Sequence, residues 1–132
     1  MDCIFCKILN GDIPKRSIYE DDVCEVIMDA FPATDGHVLI VLKEHVESLD
    51  QASDETVAHV AKVSKRISSV IKASLNPDGL TTVENSGLLQ EIPHAHIHLI
   101  PTYENQRGLE FTTKANGEDI DAKFQAILAE IS

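Results

Sequence analysis

Apolar residues recur along this chain with two different periods. From Val57 onward they fall at Val60, Val63, Ile67, Val70, Ile71 and Leu75, the spacing of one helical face. Ser53 precedes this run as an N-cap, and Asp54 and Glu55 place negative charge in the first turn. Asn76-Pro77-Asp78-Gly79 ends it. A last helix is predicted after Gly117, with Ile120, Phe124, Ile127, Leu128 and Ile131 along one side. A short helix fits Cys3 to Leu9, stopped by Asn10-Gly11. Elsewhere the pattern is that of strands. Arg16 to Tyr19 and Cys24 to Met28 flank an Asp21-Asp22 turn, followed by a Phe31 to Gly36 loop. His37 to Leu42 is almost wholly aliphatic and reads as a central strand buried on both faces. Leu80 to Glu84 and His94 to Ile100 complete the set, with Pro101 closing the last strand. Strands followed by helices that pack on one sheet face predict an α+β fold.

Composition narrows the class. The 132 residues suffice for one core and are too few for two ordinary domains. The net charge of −11 repels nucleic acid and anionic membranes, so neither is an expected partner. A small nucleotide remains possible if its phosphates are neutralised locally. No run of apolar residues is long enough for a transmembrane helix. The N-terminus lacks a basic stretch ahead of an apolar one, so a cytoplasmic protein is expected. The three cysteines, an odd count, do not suggest a disulfide framework, and Cys24 in its apolar alternation reads as a small buried residue.

The chemistry concentrates in His94-Ala95-His96-Ile97-His98. Alternate strand residues share a face, so the imidazoles line up while Ala95, Ile97 and Leu99 enter the core. Such a row has three readings. It is an exposed polar face, a pair of ligands for a catalytic metal, or a nucleophilic imidazole with neighbours that orient it and donate protons. Cys3 and Cys6 form a C-x-x-C pair, which means zinc or redox chemistry. A redox pair normally starts a helix after a strand, and no strand precedes Cys3.

The run His94 to Pro101 resembles the motif of the histidine-triad (HIT) family, in which histidines alternate with hydrophobic residues. Cys3 to Ile8, Gly11-Asp12-Ile13-Pro14, Tyr19-Glu20-Asp21, Met28-Asp29 and Gly36 to Ile40 resemble the family's N-terminal half in order, and Asn85 and Gly87 its Asn-x-Gly turn. The resemblance covers about residues 1–110; with no repeat or linker in the chain, one HIT-like domain is expected over residues 1–132, an antiparallel sheet of about five strands with the long helix and the C-terminal helix packed on it. It implies a nucleotide hydrolase that cleaves at the α-phosphate of a purine nucleoside phosphoramidate or dinucleoside polyphosphate. The third motif position is His98 rather than Gln, which is similar to the hydrolase branch.

By position, His96 resembles the nucleophile that forms a nucleotidyl-histidine intermediate, and His98 the residue that contacts the phosphate oxygens. Asp29 resembles the carboxylate that takes the ribose hydroxyls. Ile4, Phe5, Ile8 and Ile27 resemble the apolar purine slot, and Asn85 and Gln90 the polar groups near the phosphates. Some bacterial members are similar at Cys3, Cys6, His45 and His94, which implies a structural Zn²⁺ held by those four residues. His37 reads as a buried supporting residue, and His59, off its helix's apolar stripe, as exposed. A homodimer with edge-to-edge sheets is implied as well.

The sequence departs from the family in one place. The stretch Asn85-Ser86-Gly87-Leu88-Leu89-Gln90-Glu91 is shorter than the family's loop, with Leu89 and Glu91 where Gly and Ser are usual. The shortening is expected to turn Glu91 away from the phosphates. A nucleotide-binding module with little or no catalysis, and a metal-dependent hydrolase, stand as alternatives.

Overall fold

The computed structural model describes residues 3–131. A short helix α1 (Ile4–Leu9) leads into the hairpin β1 (Ser17–Glu20) and β2 (Cys24–Met28). Strand β3 (Val38–Leu42), the long helix α2 (Asp54–Leu75), β4 (Gly79–Val83) and β5 (His96–Thr102) follow, and α3 (Ile120–Ile131) comes last. The strands form one antiparallel sheet in the order β1-β2-β3-β5-β4. Among the described residues, no helix is long and apolar enough to cross a membrane.

The two faces of the sheet have different duties. Cys24, Val26, Ile40, Leu42, Ile97 and Leu99 bury one face against Val60, Val63, Ile67 and Ile71 of α2. Each such side chain contributes about 1.5–3 kcal/mol when removed from water. Ser53 caps α2 by accepting from Thr56 N–H at 3.1 Å, and Asn76 ends it in the left-handed conformation, φ 48°. The other face carries Ile27, Leu39 and Val41 under Phe5 of α1. The second face is where the histidines point.

Three details differ from the sequence reading. Pro101 lies inside β5 rather than closing it. The β3 ladder already stops at Val38↔Leu99, so only β4 accompanies Pro101 (Leu80↔Pro101), and a missing N–H toward β3 is harmless there. His59 is not simply exposed: its Nε2 lies 2.6 Å from Asp21 Oδ2, tying α2 to the β1–β2 turn. The C-terminal helix forms where its periodicity places it but does not pack on the sheet. Its stripe stays open, with Ile120 84%, Phe124 56% and Ile127 67% exposed. The reason is that α2 already covers one sheet face and α1 lies over the other. Helical periodicity specifies an apolar stripe, not the surface that receives it.

Candidate active site and metal centre

Register places the chemistry. On the open face, Val41 lies opposite both Glu25 and His96, and Leu39 opposite both Ile27 and His98. His96 and His98 therefore sit beside the β2 side chains across a single intervening strand. They line a cavity of about 550 Å³, the size of a nucleotide-scale ligand site. Ile4, Phe5, Ile8, Ile27, Asp29, Asn85 and Gln90 line the same cavity, so every expected catalytic and substrate residue is gathered there. The Phe5 ring meets His96 edge-on at 4.7 Å between centroids and closes one side.

Hydrogen bonds fix the imidazole tautomers. His96 Nδ1 is 2.6 Å from the His94 carbonyl, which can only accept. The proton is therefore on Nδ1, and Nε2 carries the free lone pair. The Ala33 N–H donates to His37 Nδ1 at 3.0 Å, so His37 carries its proton on Nε2. That Nε2 lies 3.0 Å from His98 Nδ1 and 3.4 Å from Asp29 Oδ2. His98 Nδ1 thus accepts, and the ring's remaining N–H is on Nε2. One backbone amide sets the donor at the far end of two rings.

The electrostatics agree with neutral rings. Burial pushes His98 down to about 4, helped by the charges His96 and His37 would carry. Burial also lowers His37, with Asp29 opposing it. Sequence reasoning kept His37 off the catalytic list. Its signal was present in Gly36-His37, where Gly36 at φ +88° turns the chain into β3 and a Cβ would strike the Leu75 side chain.

His94 stands apart from the cavity. It precedes β5, is fully buried, and donates from Nε2 to the Leu42 carbonyl at 2.6 Å. Its Nδ1 lies 3.3 Å from Cys3 Sγ, 3.7 Å from Cys6 Sγ and 3.1 Å from His45 Nδ1, and Cys6 Sγ is 3.2 Å from His45 Nδ1. All four ligand atoms lie within 4.8 Å of one another. Tetrahedral zinc with Zn–S of about 2.3 Å and Zn–N of about 2.05 Å has N···N edges of roughly 3.3 Å and S···N edges of roughly 3.6 Å. The donor set fits such an ion. Burial holds His94 below its ordinary value, keeping it in the neutral, ligating form. Cys24 is on the opposite sheet face, where burial pushes its thiol up to about 12.

In the shortened loop, Glu91 borders the cavity and is exposed to solvent. Gln90 is tied to backbone: its amide donates to the Glu47 carbonyl at 2.5 Å and to Ile92 at 2.9 Å, and its Oε1 accepts from Gly87 N–H at 3.3 Å. Gln90 thus braces the backbone of the loop against the segment after β3.

Comparison with known proteins agrees with this architecture. The HIT domain family model matches residues 10–105. A HIT-like protein of Methanocaldococcus jannaschii is 36% identical over 127 residues, covering 95% of this chain and 98% of the relative. Adenosine 5'-monophosphoramidase of Schizosaccharomyces pombe is 31% identical, covering 95% of this chain and 100% of the enzyme. The crystal structure of a HIT family protein from Bacillus anthracis superposes with a TM-score of 0.88 at 33% identity, covering 98% of this chain and 94% of that one. A Zn-bound histidine triad family protein from Mycobacterium smegmatis gives 0.74 at 35% identity, covering 99% and 96%.

Proposed function

Because the chain belongs to the HIT family, we propose that it is a hydrolase of purine nucleoside phosphoramidates or dinucleoside polyphosphates, acting through His96. The observation that carries this reading is the His96 Nδ1–H bond to the His94 carbonyl, which leaves Nε2 as the nitrogen that can act as nucleophile in the cavity. In the first step Nε2 attacks the α-phosphorus, a His96–P bond forms, and the bond to the leaving group breaks, a phosphate departing as its anion and an amine departing as the neutral amine with a proton taken from solvent. His98 Nε2–H donates to the phosphoryl oxygens and meets the charge that develops there. Water then cleaves the His96–P bond, releasing the nucleotide and restoring the imidazole. Asp29 takes the ribose, Ile4, Phe5, Ile8 and Ile27 enclose the purine, and Asn85 lies toward the phosphates, whereas Gln90, its amide spent on backbone, braces the loop beside them. The relative from Schizosaccharomyces pombe named a monophosphoramidase supports the substrate class.

Cys3, Cys6, His45 and His94 would hold a structural zinc, as their spacing and the Zn-bound relative support. The ion would clamp α1 and the segment after β3 to the start of β5, and so fix the carbonyl that orients His96. We place residues 1–132 in one cytoplasmic domain and the protein in a homodimer, for which the open stripe of α3 and the outer sheet edges are available surfaces. Turnover of an adenosine phosphoramidate by the wild type, abolished in His96→Ala while nucleotide binding survives, is the test. Binding without turnover in the wild type would favour a binding module, the reading that Glu91 bordering the cavity supports.

A further inference from the structure

One residue of the same cavity, Lys15, belongs to a charged pair that the proposed chemistry does not use. Lys15 lies on the cavity wall, and its Nζ is 2.7 Å from Glu25 Oε1. The Lys15 side chain is 22% exposed and that of Glu25 only 1%. The second carboxylate oxygen of Glu25 is buried with no hydrogen-bond partner among the described residues. Stability does not explain this arrangement. A buried ion pair is commonly no better than apolar residues of the same volume, and an orphaned oxygen makes it worse.

Placement along β2 suggests a use. Asp29 follows directly on β2, and Ile27 and Glu25 occupy successive same-face positions behind it, about 6.7 Å apart. With ribose at Asp29 and purine over Ile27, the purine edge farthest from the sugar reaches the Lys15–Glu25 pair. Lys15, which lines the cavity, carries an ammonium there: one N–H is spent on Glu25, two remain, and the group has no acceptor capacity. Guanine presents O6 and N7, both acceptors, to such a donor, whereas adenine places an amino group beside N7.

We propose that Lys15, fixed in place by buried Glu25, selects a 6-oxopurine nucleotide over adenine in this cavity. The inference rests on the nucleotide-hydrolase reading for the pose and adds the base to it. Glu25 is the positioning residue: it holds the long lysine side chain in one place, so its charge meets the base edge instead of the solvent.

The experiment measures, on the full chain, calorimetric binding of GMP and AMP and kcat/KM for guanosine and adenosine 5'-phosphoramidates. GMP and the guanosine substrate are expected to be favoured about tenfold, the size of one charge-assisted base contact. Lys15→Met alone strands the Glu25 carboxylate and risks the fold, so the double substitution Lys15→Met with Glu25→Leu is the informative one. It should bring the ratio to within about twofold while both nucleotides still bind. Equal preference in the wild type, an adenine preference, or a guanine preference that survives the double substitution overturns the inference. Hydrolysis of both substrates without preference sinks this inference and leaves the hydrolase reading standing. A tenfold GMP preference without hydrolysis does the reverse, and failure of both nucleotides to bind overturns both.

Discussion

His37 Nε2 lies 3.0 Å from His98 Nδ1, and the amide of Ala33, bonded to the other side of His37, dictates which of the two rings donates. The donor that His98 turns toward a phosphate is thus set by a loop residue two rings away. Replacing His37 by Phe keeps the ring and removes the relay. His98 would lose its fixed tautomer, and kcat should fall about tenfold or more with little change in nucleotide affinity. Nitrogen NMR on the wild type should show His98 protonated at Nε2. A His37→Phe enzyme with undiminished kcat would remove the relay from the mechanism.

The pH dependence follows from burial. His98 sits at about 4 in the folded chain, against a reference near 6.5 when unfolded. Between those values the unfolded state binds a proton that the native state refuses, so stability rises with pH across this window. His37, lowered by burial, pushes in the same direction. The melting temperature should therefore drop as pH falls from 6.5 toward 4, and less steeply in His98→Gln. A profile flat across that window in the wild type contradicts the neutral, buried rings.

The thiols separate into two classes. Cys3 and Cys6 lie with His45 and His94 in the metal cluster, and Cys24 is buried on the far face with its thiol pushed up to about 12. Purified protein should carry about one zinc per chain, and Cys3→Ser should lose it and melt at lower temperature. Chelation followed by alkylation under native conditions should label Cys3 and Cys6, and Cys24 only after unfolding. Labelling of Cys24 in the folded protein, or of all three residues before chelation, contradicts this assignment.

Glu91 borders the cavity, and its carboxylate, if turned inward, would oppose a phosphate. At about 5 Å and an effective dielectric of about 20, two like charges repel by roughly 3 kcal/mol, an upper figure for a group this close to solvent. Glu91→Gln should raise nucleotide affinity several-fold, more at low salt than at high salt. Unchanged affinity at both salt concentrations would mean that the carboxylate faces solvent.

Much of the fold was legible because burial writes a period into the chain. Strand β2 falls at Cys24–Met28 as the alternation places it, and α2 begins after the Ser53 cap and ends at Asn76. The residues of the cavity were legible through motif order, since neither period nor composition brings Asp29 and Asn85 together. What escaped the sequence depends on partners distant along the chain. His37 looked like a supporting core residue because its partner lies 61 positions away at His98. His59 looked merely exposed because Asp21, 38 positions earlier, is its neighbour only in space. The path of Glu91 depends on where the Gln90 amide finds carbonyls, and α3 shows a stripe without showing what covers it.

The nucleophilic role of His96 is tested most directly by acid-quenching wild-type enzyme during turnover of a purine nucleoside phosphoramidate and locating the adduct by peptide mass spectrometry. A nucleotidyl group on His96, lost on a slower timescale as water cleaves it and absent from His96→Ala, is the expected result. An adduct on any other residue, or undiminished turnover in His96→Ala, would contradict it.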